Sequence, residues 1–128
     1  MLAKRNRFHG SAALRWVYKG RQQVRGRFMA ARLRPQNNMP TRIAVVVSRK
    51  VSKSAVVRNH IRRRIYEIIR TTTPSSIEGL AVVITVYDEV LDTMPAPAVR
   101  KEVTSLLLKA RNLSQQTAQR AIVDGKGE

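Results

Sequence analysis

VSKSAVVRNHIRRRIYEIIR, residues 51–70, is the stretch whose reading decides how the chain folds and what it presents. Ser54 suits a helix N-cap, because its side-chain oxygen accepts from an amide that the first turn leaves free. Val57, Ile61, Ile65 and Ile68 follow at i, i+4, i+8 and i+11, which makes one narrow apolar stripe. At about 100° per residue, Asn59, Arg62, Arg63, Tyr66 and Arg70 fall opposite that stripe, and Arg58 and Arg64 border it. Glu67 is the one acidic residue. Solvated helices ordinarily mix charge signs at i, i+4 to relieve repulsion. This helix does not, so its polar face predicts a polyanionic partner.

Composition sharpens that reading. The 128 residues suit a single domain with one modest core. Of 25 Lys and Arg and 8 Asp and Glu, residues 1–70 carry 19 basic and one acidic, and residues 71–128 carry six basic and seven acidic. The net +17 therefore belongs to the first seventy residues. The absence of cysteine excludes disulfides and thiolate metal sites, and fits a reducing, cytoplasmic setting. No apolar run reaches the length of a membrane span, and MLAKRNRFHG lacks the apolar segment of a signal peptide. The expectation is a cytoplasmic protein with no membrane association and no small-molecule substrate.

Outward from the central helix, a short N-terminal helix is expected from Ser11, with Leu14, Val17 and Tyr18 on one face and Gly20 ending it. Residues 25–33 read as one strand, placing Arg25, Arg27, Met29 and Ala31 on one face and Phe28, Ala30 and Arg32 on the other. PQNNMP, residues 35–40, is a loop. TRIAVVVS, residues 41–48, is a buried β-branched strand. Arg49, Lys50 and Lys53 lie in its connection to the helix, where a positive dipole end and free amides suit phosphate. LAVVITVY, residues 80–87, is nearly continuous apolar sequence, the mark of a strand covered on both faces. A last helix opens at Pro95 or Pro97 and runs to about Asn112, with Val99, Val103, Leu106, Leu107 and Ala110 inward. Residues 1–113 form the domain, and 114–128 are a polar, disordered tail. Strand, helix and buried strand imply a βαβ crossover with parallel pairing, within an α/β (α+β) two-layer sandwich built on a mixed sheet.

The residues of a catalyst are sparse. Phosphodiester hydrolysis by two metal ions needs several convergent carboxylates, and the basic half offers only Glu67. Asp88, Glu89 and Asp92 cluster later, where a turn or helix-capping role outweighs metal ligation. His9 and His60 leave an acid–base pair conceivable. No phosphate-binding glycine loop or nucleophile elbow occurs. No metal or catalytic residue is therefore assigned to the polypeptide.

KSAVVRNHIRR, residues 53–63, resembles the signature of the bacterial ribonuclease P protein subunit. KRNRF near the N-terminus, VYKG, RFMAARL and RIAVVVSRKV follow family counterparts in the same order and spacing, over residues 4–112. The resemblance implies a ribosomal-protein-like sandwich whose central crossover is left-handed, against the usual rule. It also implies a protein, monomeric within a ribonucleoprotein, that joins a catalytic RNA to remove 5′ leaders from precursor tRNA. In that assembly the RNA, with magnesium bound mainly by it, performs the chemistry, and the isolated protein is inactive. By the same resemblance Arg49, Lys50, Lys53, Arg58, Asn59, His60, Arg62 and Arg63 contact the catalytic RNA. Arg5 and Arg7 make N-terminal RNA contacts, and Tyr18, Phe28 and Leu14 line the precursor-leader cleft. His60 stands where the family usually has Arg, and Leu14 and Ala31 stand where aromatic residues are common. Two alternatives stay open on the residues alone: a ribosomal protein, and a free-standing nuclease using His60 or the Asp88–Asp92 cluster.

Overall fold

The computed structural model describes residue 17 and residues 22–35, 42–72 and 80–125. Arg5, Arg7, Leu14 and Tyr18, the expected short helix apart from Val17, and residues 36–40 of the expected loop lie outside the described residues. Four strands form one sheet: β1 (Gln22–Arg25), β2 (Met29–Pro35), β3 (Arg42–Val47) and β4 (Leu80–Val86). Helix α1 (Ala55–Thr71) connects β3 to β4, a single 3-10 turn spans Glu89–Asp92, and helix α2 (Ala96–Gly125) follows. The spatial order is β1-β2-β4-β3. β3 and β4 pair in parallel, from Arg42 opposite Ala81 to Val47 opposite Val86. β2 pairs antiparallel with both β1 and β4. The predicted crossover and mixed sheet are thus present.

Alternation of side chains places β4 at the centre of two packing layers. Leu80, Val82, Ile84 and Val86 join Met29, Ala31, Leu33, Ile43, Val45 and Val47 beneath the two helices. Ile61, Ile65, Ile68 and Ile69 of α1 and Val99, Val103, Leu106, Leu107 and Ala110 of α2 complete that core. On the opposite face Ala81 and Val83 pack with Ala44 and with Val17, which is helical. Both faces of β4 are covered, which is why its sequence is almost uninterruptedly apolar.

Three expectations need correction. Residues 25–33 are not one strand: the chain reverses at Gly26–Phe28 to make the β1–β2 hairpin. The Gly26 amide donates to Met29 O at 2.7 Å, and a Cβ on Gly26 would stand 3.1 Å from that same oxygen, so the close approach favours glycine. Tyr66 does not join the exposed arginines. It packs against the core, and its hydroxyl accepts from the Val45 amide at 3.0 Å. Finally, α2 continues to Gly125 instead of ending near Asn112, because residues 113–124 contain no Gly or Pro and include three Gln and two Ala, which favour helix.

The Tyr66 bond lies on the outer edge of the sheet, since β3 is an edge strand. It satisfies an amide that would otherwise invite pairing with another strand. Two stability changes follow. Ile61→Ala, which empties a fully buried site in α1, is expected to cost about 2–5 kcal/mol in urea unfolding. Tyr66→Phe keeps the ring and loses the hydroxyl, and should cost about 0.5–1.5 kcal/mol by the same measurement.

Candidate nucleic-acid interface

The site is set by how α1 begins. Ser54 has extended backbone, and its Oγ accepts from the Val57 amide at 3.3 Å, as a helix cap requires. Ser52 Oγ in turn accepts from the Ser54 amide at 3.2 Å, holding the connection against the cap. No acidic residue occupies the first turn, so the positive end of the dipole is not offset there. Around it Arg49, Lys50, Lys53 and Arg58 line a surface concavity of about 560 Å3. The Nε of Arg58 is buried and has no hydrogen-bond partner among the described residues. An orphan cationic donor beside a helix N-terminus is a place for an anion to bind.

Further along the helix the polar side chains are not equivalent. Arg63 and Asn59 are exposed, and Arg62 donates to the Asn59 carboxamide oxygen, which fixes its guanidinium along the helix surface. Arg70 donates its Nε to Glu67 at 3.2 Å and makes a second, shorter bond through Nη2. That hydrogen bonding holds the Glu67 carboxyl below the usual carboxylate range and raises Arg70. Arg70 is therefore locally neutralised and adds little to the cationic face. Arg64 is occupied too, donating Nη1 to Leu91 O at 2.8 Å and to Asp92 O at 3.1 Å. It acts as a strut between α1 and the 3-10 turn.

That turn brings in a residue the sequence reading did not connect to the site. Asp88 caps the turn by accepting from the Val90 amide at 2.9 Å. Asp92, held by Arg64 through its carbonyl, accepts from Nδ1 of His60 at 2.6 Å. A carboxylate can only accept, so Nδ1 carries the hydrogen and Nε2 is the nitrogen left to face a ligand. His60 is half exposed, and the concavity beside it is lined by Val56, Val57, Asn59, Arg63 and Asp92. Pairing across 32 positions has no local sequence signal; only the fold brings the two together.

The structure therefore gathers Arg49, Lys50, Lys53, Arg58, Asn59, His60, Arg62 and Arg63 along α1 and its entry. Phe28 sits elsewhere, in the β1–β2 turn, half buried against the core beneath the helices, with the Arg27 guanidinium 5.3 Å from its ring centroid. Among the described residues no group of three or more His, Asp or Glu is placed to hold a metal ion. None of the described helices is long and apolar enough to cross a membrane. What the arrangement offers is fixed positive charge and hydrogen-bond donors along one helix.

Comparison with known proteins gives this surface a family. The Ribonuclease P family model matches residues 2–111. The chain is 41% identical over 85 residues to the ribonuclease P protein component of Picosynechococcus sp., covering 66% of this chain and 73% of that protein. Against the component from Symbiobacterium thermophilum it is 32% identical over 116 residues, 90% of this chain and 99% of the other. Its fold superposes on the Staphylococcus aureus RNase P protein with a TM-score of 0.72 at 22% identity, over 84% of this chain and 96% of that one. For the Thermotoga maritima RNase P protein the TM-score is 0.71 at 21% identity, over 80% and 96%. With a family match spanning the whole described sheet and both of its helices up to Arg111, the chain belongs to the ribonuclease P protein family.

Proposed function

We propose that this chain is the protein subunit of a tRNA 5′-processing ribonucleoprotein, acting in the cytoplasm as a monomer within the assembly. It binds the catalytic RNA through α1 and its entry segment, and contacts the 5′ leader of precursor tRNA. The observation that carries the reading is the cationic entry to α1, where Arg49, Lys50, Lys53 and the orphan Nε of Arg58 converge on a helix N-terminus. Backbone amides and guanidinium groups there suit phosphate oxygens. Arg63 and the Asn59-tethered Arg62 extend the contact along the helix. His60 supplies Nε2 as an acceptor when neutral, suited to a 2′-hydroxyl more than to a phosphate. Bond breaking belongs to the RNA and the magnesium ions bound mainly by it, and the isolated protein is inactive. Membership of the family and the preoccupied carboxylates of Asp88 and Asp92 support this division.

The decisive assay is precursor tRNA cleavage at low magnesium, with the cognate RNA alone and with this protein added. The protein is expected to raise the rate, and protein freed of RNA is expected to cleave nothing. Cleavage by the RNA-free protein would transfer the chemistry to the polypeptide. Arg62→Ala with Arg63→Ala should weaken assembly with the catalytic RNA by about tenfold or more, at two lost phosphate contacts. The urea midpoint of that variant should stay within error of the parent, since neither residue belongs to the buried stripe. In a salt titration, neutralising about six phosphates gives a slope of log K against log salt on the order of −4 to −5; a slope near zero would reject the cationic contact.

A further inference from the structure

A carboxylate repels phosphate, so Asp92 is out of place beside a cationic surface unless it serves another group there. Its turn is fixed from outside the helix. Leu91 is fully buried, the Thr93 and Met94 amides donate to Val90 O at 3.2 and 2.9 Å, and Arg64 grips the carbonyls of Leu91 and Asp92. The Asp92 carboxylate is thereby delivered to Nδ1 of His60 at 2.6 Å. The His60 side chain is 51% exposed against 25% for Asp92, so the imidazole is the group turned toward a partner.

Val56, Asn59, His60 and Arg63 stand at i, i+3, i+4 and i+7, so they share one stripe of α1. With Val57 and Asp92 they line a concavity of about 570 Å3, within the size range of small-molecule sites. Its chemistry is mixed. The two valines give an apolar wall. The Asn59 carboxamide oxygen is taken by Arg62, which leaves the NH2 group on the other side of the amide as a donor. Nε2 of His60 is an acceptor, because Nδ1 carries the hydrogen given to Asp92. A phosphate brings only acceptors to such a seat and meets the Asp92 carboxylate across it. A ribose 2′-hydroxyl both donates and accepts, and the C–H surface of the sugar suits the valines. Arg63, at the far end of the stripe, suits the adjoining phosphate.

We infer that Asp92 is a positioning residue: it holds the His60 imidazole with Nε2 outward, as the acceptor for a ribose 2′-hydroxyl of the catalytic RNA. The seat beside α1 therefore distinguishes ribose from deoxyribose, which the cationic entry to the helix does not. Asp92 acts through His60 and not by touching RNA. The inference rests on the proposed binding of the catalytic RNA to α1, and adds the chemical group that is read there. An exposed ion pair kept for stability alone would contribute little, and its removal would only relieve repulsion of the RNA.

The test uses the full chain and the catalytic RNA, transcribed with sparse 2′-deoxy nucleotides that are each marked by a phosphorothioate linkage. Protein-bound RNA is separated and cleaved with iodine, and positions depleted from the bound fraction are those whose 2′-hydroxyl is needed. RNA carrying phosphorothioates alone is the control. The unsubstituted protein should deplete at least one position by about threefold or more. That depletion should vanish with His60→Ala and with Asp92→Ala, while depletion at other positions stays. Nitrogen NMR of the labelled free protein, at a pH where the ring is neutral, should find the His60 hydrogen on Nδ1, moving toward Nε2 in Asp92→Ala. A neutral His60 with its hydrogen on Nε2 in the unsubstituted protein would overturn the assignment. So would the same depletion pattern with all three proteins. A position sensitive to the phosphorothioate alone, and lost with His60→Ala, would overturn it in favour of an imidazolium–phosphate contact. Each of these results leaves RNA binding by α1 standing. Failure of the unsubstituted protein to bind the catalytic RNA would instead remove the proposed function, and this inference with it.

Discussion

Burial of four isoleucines fixes everything else about α1. Ile61, Ile65, Ile68 and Ile69 enter the core beneath the sheet, and at about 25 cal/mol per Å2 of apolar surface no arrangement of surface charges competes with them. The rotation of the helix about its axis is therefore decided by apolar contact, and the arginines fall where the remaining positions leave them. The consequence is geometric precision without strain. Arg63 and Asn59 are exposed because residues two to four positions away are buried, and the cationic surface inherits the rigidity of the core.

A second constraint acts on the same helix from outside the sheet. The 3-10 turn after β4 carries Leu91, which is fully buried, and its carbonyl ends are held by Arg64. That anchoring places the Asp92 carboxylate against His60. Three of the polar side chains along the helix thus have internal partners: Arg64 the carbonyls of Leu91 and Asp92, Arg70 the Glu67 carboxylate, and His60, through Nδ1, the Asp92 carboxylate. The charges left for a partner gather at the helix entry and at Arg62 and Arg63, a narrower surface than the raw count of arginines implies. Attraction of a polyanion depends on this uncommitted set and not on net charge alone.

Much of this was legible in the residues. Near-continuous burial of β3 and β4, the Ser54 cap, and the inward face of α2 follow from the residues, because apolar runs, hydrophobic periodicity and caps are local signals. The parallel crossover follows from chain order. What failed was of another kind. The strand through residues 25–33 hid a hairpin, since Arg25, Arg27, Met29 and Ala31 alternate as one face of a strand would and a single glycine, Gly26, is compatible with a strand as well as with a turn. Tyr66 falls on the polar side of a helical wheel, yet a long side chain reaches round to the sheet edge and finds the Val45 amide. His60 with Asp92, and Arg64 with the 3-10 turn, are tertiary pairings that no window of sequence contains.

Segregation of charge along the chain has an energetic side as well. The first seventy residues hold nearly all of the excess positive charge, and mutual repulsion of those groups opposes the compact state. The near-neutral second half answers with burial: β4 is covered on both faces and α2 supplies five inward residues to the core. Burial shared by both halves of the chain therefore holds the fold together against charge that the first half carries. Any polyanion that neutralises the α1 entry removes part of the repulsion, and by linkage its binding to the folded chain also stabilises it. A cationic surface mounted on a core this small is thus a compromise between affinity and stability, relieved only when the partner is present.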